Sequence, residues 1–190
     1  MSDKKFNPKK LRKLNDPQRL LDIPPDYVCN KLSQQNPDVL VEIGAGTAFF
    51  SLAFHQQLNA STTYACDLSD TMIDWMEANI TPHYPDIIPV KSEESSVPLS
   101  DGIADLVFMI NLHHELEIQS LVVQEAFRLL KPGGEVFIID WKKEDMPQGP
   151  PVEIRCLPEL ITVQLEKSGF VNIKSADEMS KHFLVAGEKQ

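Results

Sequence analysis

Three groups of residues carry chemistry by their type and spacing. The first is Glu42-Ile43-Gly44-Ala45-Gly46-Thr47, an acid followed by two closely spaced glycines, directly behind the apolar run Val39-Leu40-Val41. The second is Asp67, a carboxylate that closes the β-rich run Thr62-Thr63-Tyr64-Ala65-Cys66. The third is Asn111-Leu112-His113-His114, which follows the apolar run Leu106–Ile110 and brings imidazoles that titrate near neutrality. A strand, a glycine turn and a helix let backbone come close to a nucleotide, with N–H groups of the helix start aimed at it. The dinucleotide fingerprint wants a third small residue where this chain has Phe49. A nucleoside without a diphosphate therefore fits better. A tight strand–helix turn with no ligand is the alternative.

The elements that must position these groups are legible in the apolar pattern. Val39–Ile43 follows the breaker Asn36-Pro37-Asp38 and reads as a buried strand; Phe50, Phe54 and Leu58 then recur at helical spacing. Asp86–Lys91 reads as a third strand. Ala104–Ile110 is nearly continuous in apolar residues, as a central strand covered on both faces requires. A helix is predicted over 116–130 with Ile118, Leu121, Val122 and Leu129 inward. The turn Lys131-Pro132-Gly133-Gly134 stops it, and a strand follows from Glu135 to Asp140. Beyond Trp141 a long proline-rich loop runs to Arg155. A helix over 158–167 puts Leu157, Ile161 and Leu165 on one side, and two last strands lie near 170–175 and 183–187. Ahead of the first strand, Asn15-Asp16-Pro17 and Ile23-Pro24-Pro25-Asp26 are helix starts, the second predicting a helix over 26–33 with Tyr27, Val28 and Leu32 inward. In an open α/β sheet, ligands lie outside the carboxyl ends of the strands where strand order reverses. Asp67 is then placed to accept hydrogen bonds from the two hydroxyls of a ribose, unless it only caps the next helix.

With 190 residues the chain suits one compact α/β domain. The balance of 18 basic against 28 acidic side chains, a formal charge of −10, speaks against a nucleic-acid partner or an anionic membrane surface. The one basic cluster, Lys4, Lys5, Lys9, Lys10, Arg12 and Lys13, reads as a solvated arm. Cys29, Cys66 and Cys156 are far apart, which supports neither a zinc site nor a disulfide framework, so no metal is expected. The chain has no apolar run long enough for a membrane span and no secretory signal, and a cytoplasmic location is the expectation. Oligomeric state is not legible.

These residues resemble a known family. Glu42-Ile43-Gly44-Ala45-Gly46-Thr47 is similar to the first motif of class I S-adenosylmethionine-dependent methyltransferases, of the type that includes the ubiquinone and menaquinone methyltransferases. Leu68-Ser69-Asp70-Thr71-Met72 resembles the second motif. Ser92-Glu93-Glu94 ahead of Val97-Pro98-Leu99 resembles the third, with Glu93 where the family usually has Asp; a solvated acidic loop is the alternative. Leu130-Lys131-Pro132-Gly133-Gly134 before an apolar strand is a further signature. The resemblance implies a doubly wound, Rossmann-like, seven-stranded sheet, mostly parallel with an antiparallel last strand and helices on both faces. It implies an N-terminal arm and lid helix over 1–36 and the methyltransferase domain over 37–190. S-adenosylmethionine is the implied cofactor, met by Glu42, Gly44, Ala45, Gly46, Thr47, Asp67, Leu68, Met72, Glu93, Glu94 and Asn111. In that reading the Glu94 N–H faces adenine.

Methyl transfer from a sulfonium needs mainly in-line positioning and exclusion of water, effects that supply about 7–11 kcal/mol together. A base is needed only where the nucleophile must lose a proton. His114, and behind it His113, are the candidates; capping the next helix is the alternative for each. Trp141 is a candidate wall for a flat acceptor, and Arg155 either an anchor for a polar one or a partner for Glu153. The implied activity is methylation of a small-molecule acceptor, aromatic or quinone-like rings among the candidates. A SAM-binding subunit without turnover of its own is the competing reading. A nicotinamide oxidoreductase is disfavoured by Phe49 and by the lack of a Tyr-x-x-x-Lys pair.

Overall fold

The computed structural model describes residues 11–190, so Lys4, Lys5, Lys9 and Lys10 of the expected arm lie outside the described residues. Seven strands, β1 (Val39–Ile43), β2 (Thr62–Asp67), β3 (Ile87–Lys91), β4 (Ala104–Ile110), β5 (Leu130–Trp141), β6 (Phe170–Ala176) and β7 (His182–Lys189), form one sheet in the order β3-β2-β1-β4-β5-β7-β6. Neighbours from β3 across to β5 are parallel, while β7 is antiparallel to both β5 and β6. The doubly wound, seven-stranded expectation is met. Strand order reverses between β1 and β4, which opens a crevice at their carboxyl ends.

The period of two along each strand divides the core between the two faces. Val41, Ile43, Val107, Met109, Val136 and Ile138 pack against α6 (Gln119–Leu129) and α7 (Pro158–Lys167) through Val122, Leu129, Ile161 and Leu165. Leu40, Phe108, Ile110, Phe137 and Ile139 pack against Phe50, Phe54 and Leu58 of α4 (Phe49–Leu58) on the other face. There the Phe54 ring sits 5.3 Å from Phe108 and 5.2 Å from Phe137, an offset aromatic cluster whose buried area anchors α4 to the sheet. α5 (Asp70–Asn79) follows β2.

The N-terminal helices α1 (Leu11–Leu14), α2 (Gln18–Asp22) and α3 (Pro25–Cys29) cross the α4 face. Asp16 caps α2 by accepting the Gln18 N–H at 2.9 Å. α3 is shorter than the predicted helix, but Ile23, Val28 and Leu32 are buried in the same core as Phe54. Polar contacts fasten this segment to the β6–β7 hairpin and to β5. Tyr27 donates to Glu178 at 2.5 Å, Lys181 pairs with Asp22 at 2.8 Å, and the buried Glu135 carboxylate accepts the Ser33 and Gln34 N–H groups.

Three boundaries differ from expectation for local reasons. A 3₁₀ turn over His113–Glu115 and an extended Leu116 delay α6 to Gln119, which leaves Ile118 and Leu121 exposed and turns Val122, Val123, Ala126 and Leu129 inward. Leu157 is also exposed, because Pro158 opens α7 after it. The Lys131–Gly134 stretch is already strand: Leu130 pairs with Ala104, and a register shift before Leu106↔Glu135 absorbs the glycines. No described helix is long and apolar enough to cross a membrane.

Candidate active site

The glycine turn leaves β1 with Gly44 at φ +77° and Gly46 at φ +58°, backbone that residues with a Cβ rarely adopt. Its N–H groups do not point outward as the sequence suggests. Those of Gly44 and Ala45 both donate to the Cys66 carbonyl at 2.9 Å, and that of Gly46 donates to Asp67 Oδ2 at 2.7 Å. The close approaches that require glycine are made by the protein itself. A Cβ on Gly44 would lie 2.7 Å from the Leu112 side chain, and one on Gly46 would lie 3.2 Å from Leu14 of α1. Ala45 is buried, and the Thr47 hydroxyl, on a residue only 1% exposed, has no hydrogen-bond partner.

Asp67 ends β2 beside this turn. Its other oxygen accepts the Ser69 N–H at 2.8 Å, so each carboxylate oxygen keeps a lone pair for a further donor. Burial pushes its carboxyl above the usual range, against the opposing pull of the Ser69 and Gly46 N–H groups. Leu68 next to it is exposed, whereas Met72 is on the buried side of α5. Past β3, Glu93 is exposed and closes a tight turn in which its N–H donates to Ser96, and the Glu94 carboxylate accepts the Glu117 N–H at 3.3 Å. Lys91, Ser92, Glu93, Ser96 and Pro98 line a shallow groove there.

Glu42 is 2% exposed and accepts a short hydrogen bond from the Ser51 hydroxyl of α4. Burial pushes its carboxyl up to about 8, although the Ser51 bond and the field of Arg19 both favour the anion. Arg19 reaches this point from α2, its guanidinium 4.5 Å from the Phe50 ring and 5.4 Å from Phe49, donating to the Leu14 carbonyl at 2.5 Å.

At the end of β4, Asn111 takes φ +57°, and its N–H donates to the Ile139 carbonyl while its side-chain Oδ1 is buried without a partner. The two histidines separate. His113 is fully buried with Nε2 2.7 Å from Gln164 of α7, and burial pulls its imidazole down from the ordinary value. The His114 ring instead meets the buried carboxylate of Asp140, at the end of β5: its Nδ1 is 2.7 Å from Oδ1, and its backbone N–H donates to Oδ2 at 2.9 Å. Burial opposes a charge on His114, but the Asp140 bond and the fields of Asp140 and Glu115 outweigh it, and the imidazole is raised. Asp140 thus fixes the ring and its tautomer, leaving Nε2, 3.6 Å from Glu115, as the atom able to exchange a proton.

Arg155 corrects an expectation. It is 3% exposed and donates to four loop carbonyls, those of Pro150 (2.7 and 2.9 Å), Lys142 (3.0 Å), Glu144 (2.8 Å) and Gln148 (3.0 Å). With its donors spent on the loop's own backbone it neither anchors an acceptor nor pairs with Glu153. It is the centre that the proline-rich 142–155 loop folds around. Trp141 is held from three sides: the Arg155 guanidinium lies 5.9 Å from its ring, a Cβ on Gly149 would come within 2.8 Å of it, and the His182 ring packs at 4.3 Å.

Residues 41–138, just over half of the chain, match the family described as a methyltransferase domain. The chain belongs to this family. It carries an S-adenosylmethionine-dependent methyltransferase domain, and S-adenosylmethionine is the cofactor of that domain. A SAM-dependent methyltransferase from Aquifex aeolicus has the same fold with a TM-score of 0.89 and 28% identity, covering 98% of this chain and all of that one. A tRNA N(3)-cytidine methyltransferase METTL2 from Xenopus tropicalis is 27% identical over 77% of this chain and 45% of its own length. A demethylmenaquinone methyltransferase from Protochlamydia amoebophila is 32% identical over 57% of this chain and 46% of its own. The chain thus spans less than half the length of these curated relatives.

On this methyltransferase scaffold the sequence reading found the acids and glycines at the strand ends, but it missed two groups. Arg19 sits in a helix too short to show an amphipathic face, and a polar residue two places after the helix start Pro17 is the only local signal. His182 opens β7 with a 1% exposed ring, at a position that reads as the edge of a loop in the sequence.

Proposed function

We propose that the protein transfers the methyl group of S-adenosylmethionine to an uncharged small-molecule acceptor held at the carboxyl rim of β4, β5 and β7. The residues present suit the cofactor. Asp67 keeps two lone pairs for the ribose diol, and the unpartnered Asn111 Oδ1 and Thr47 hydroxyl are buried acceptors suited to an ammonium donor. Glu42, Gly44, Ala45 and Gly46 shape the floor, Leu68 offers an exposed apolar side chain to a base, and Glu93 and Glu94 flank the groove after β3. Met72 acts from beneath by packing. The bound cofactor supplies an electrophilic methyl on sulfur. The chain positions the acceptor against it, excludes water beneath the N-terminal segment, and through Asp140 holds His114 ready to take a proton from an O–H or N–H nucleophile.

The observation that carries the small-molecule reading is charge. A protein with 28 acidic and 18 basic side chains repels a polyanion and tolerates a neutral ring. Methylation of tRNA is the second reading, favoured by the METTL2 relatives across 77% of the chain. Incubation with methyl-labelled S-adenosylmethionine, separately with bulk tRNA and with the small-molecule fraction of a cell extract, decides between them. Label in the small-molecule fraction alone is the expected result. Label in tRNA alone replaces the proposal with the second reading, and cofactor binding with no label in either leaves a SAM-binding subunit.

A further inference from the structure

His182 is a buried polar group with nothing to bond. It is 1% exposed, and neither ring nitrogen has a hydrogen-bond partner among the described residues. Buried polar atoms are almost always paired, and a phenylalanine would fill this place without leaving two unsatisfied nitrogens. The ring packs on Trp141, centroids 4.3 Å apart and tilted at 46°, a contact that a phenylalanine could make equally well.

Its place in the fold supplies a reason. His182 is the first residue of the antiparallel strand β7 and is paired with Trp141, the last residue of β5, so it lies on the rim to which β5 brings Asp140. Cross-strand partners share a face. The ring therefore lies on the α4 face, and the charges of Asp22 and Asp140 on one side and of Lys181 and Arg19 on the other act on it. The cover over that point is made of segments outside the sheet. Lys181, the preceding residue, donates to both oxygens of Asp22 in α2 (2.9 and 2.8 Å) and to Gln148 of the loop after β5 (2.6 Å). One half-buried ammonium ties α2 to the loop after β5 beside the histidine.

We propose that His182 is an acceptor-binding residue whose imidazole bonds an O–H or N–H group on an uncharged ring when the two covering segments part. This rests on the small-molecule reading above and deepens it. Burial pulls the imidazole down to about 4, so at physiological pH it is neutral and offers one acceptor and one donor nitrogen. Such a group pairs with a hydroxyl or amino group at little desolvation cost, and it gives no attraction to an anionic acceptor.

The test uses protein saturated with S-adenosylhomocysteine and, as probe, 1,4-dihydroxynaphthalene under nitrogen, followed by calorimetry and by the 15N imidazole resonances of the wild type. Probe binding that weakens tenfold or more in His182→Phe, recovers in part in His182→Asn, and leaves affinity for S-adenosylhomocysteine within twofold is the expected result. The His182 nitrogen resonances should move on probe addition. Equal probe affinity in His182→Phe, unmoved resonances, loss of S-adenosylhomocysteine binding in step with probe binding, or no probe binding to the wild type at millimolar concentration would each overturn the assignment. Label transfer by the wild type to the small-molecule fraction is read separately. If it persists while the probe ignores His182, only this inference falls.

Discussion

Replacing Glu42 by glutamine should remove a pH-dependent cost that the fold carries at its centre. The carboxyl is 2% exposed, and burial raises it from an ordinary 4.5 to about 8 despite the Ser51 hydrogen bond. In the unfolded chain the group ionises near its ordinary value, while in the folded chain it keeps its proton until about pH 8. Between those values the native state holds more protons than the unfolded state, so stability falls as pH rises, by about 1.4 kcal/mol per unit. Glutamine is close to isosteric, can still accept the Ser51 hydroxyl, and does not titrate. Urea unfolding of the two proteins at pH 5, 6, 7 and 8 should therefore show Glu42→Gln gaining on the wild type steadily. The total is about 4 kcal/mol over the three units, and the two curves run parallel above pH 8. Parallel curves from pH 5 upward would show that Glu42 is ionised in the fold, and the account of the β1 terminus as dry would fail. Were Arg19 and Ser51 to outweigh burial, the folded-state value would fall below 4.5, and the wild type would lose stability relative to Glu42→Gln only as pH is lowered below 5.

Asp67→Asn keeps the size of the side chain but sets an amide N–H₂ against the Gly46 or Ser69 donor; S-adenosylmethionine affinity by calorimetry should fall about 5–150-fold (about 1–3 kcal/mol), and unchanged affinity removes the ribose assignment. Gly46→Val forces a β-branched residue to φ +58° with its Cβ 3.2 Å from Leu14, and should abolish measurable cofactor binding; normal binding would place the cofactor elsewhere. Arg155→Met should lower unfolding stability by about 2–4 kcal/mol and expose the 142–155 loop to proteolysis with little change in cofactor affinity, since what it loses are bonds to four loop carbonyls. Against burial, the bond to Asp140 and the fields of Asp140 and Glu115 raise the His114 imidazole, so a proton-accepting role is gained only as pH rises through that raised value, and transfer should increase with pH there. The stability that the Asp140 pair lends is lost over the same range, and Asp140→Asn should move the rate inflection to lower pH; an unmoved inflection returns His114 to a loop-fixing role.

The sheet was readable because its signals are local. Apolar runs bounded by proline, asparagine or glycine gave six of the strands within one or two residues, and Phe50, Phe54 and Leu58 placed α4 on the face that buries them. What failed was also local in cause. The spacing of Ile118, Leu121, Val122 and Leu129 fits one helical stripe, of which only Val122 and Leu129 are buried. The 3₁₀ turn over His113–Glu115 shifts the start of α6, and a shift of that size rotates the stripe to Val122, Val123, Ala126 and Leu129. Periodicity gives a face only when the first residue is known, and no capping side chain marks it here.

At the site, residue types were legible and partners were not. A carboxylate at a strand end can be recognised in sequence, but whether it is wet, dry, paired or protonated depends on what the chain brings back from far away. Gly46 shows this most plainly. Its left-handed backbone follows from the glycine itself, yet its N–H faces Asp67, the residue expected to serve the ligand independently. The turn and the acid are therefore one unit: the amide orients the carboxylate, and the carboxylate presents the lone pairs. In the proposed site, binding capacity passes from the turn's amides to side chains whose atoms have no partner among the described residues, Thr47, Asn111 and His182. A buried acceptor or donor without a partner costs about 1–3 kcal/mol, and a ligand that bonds one gains about that much in affinity.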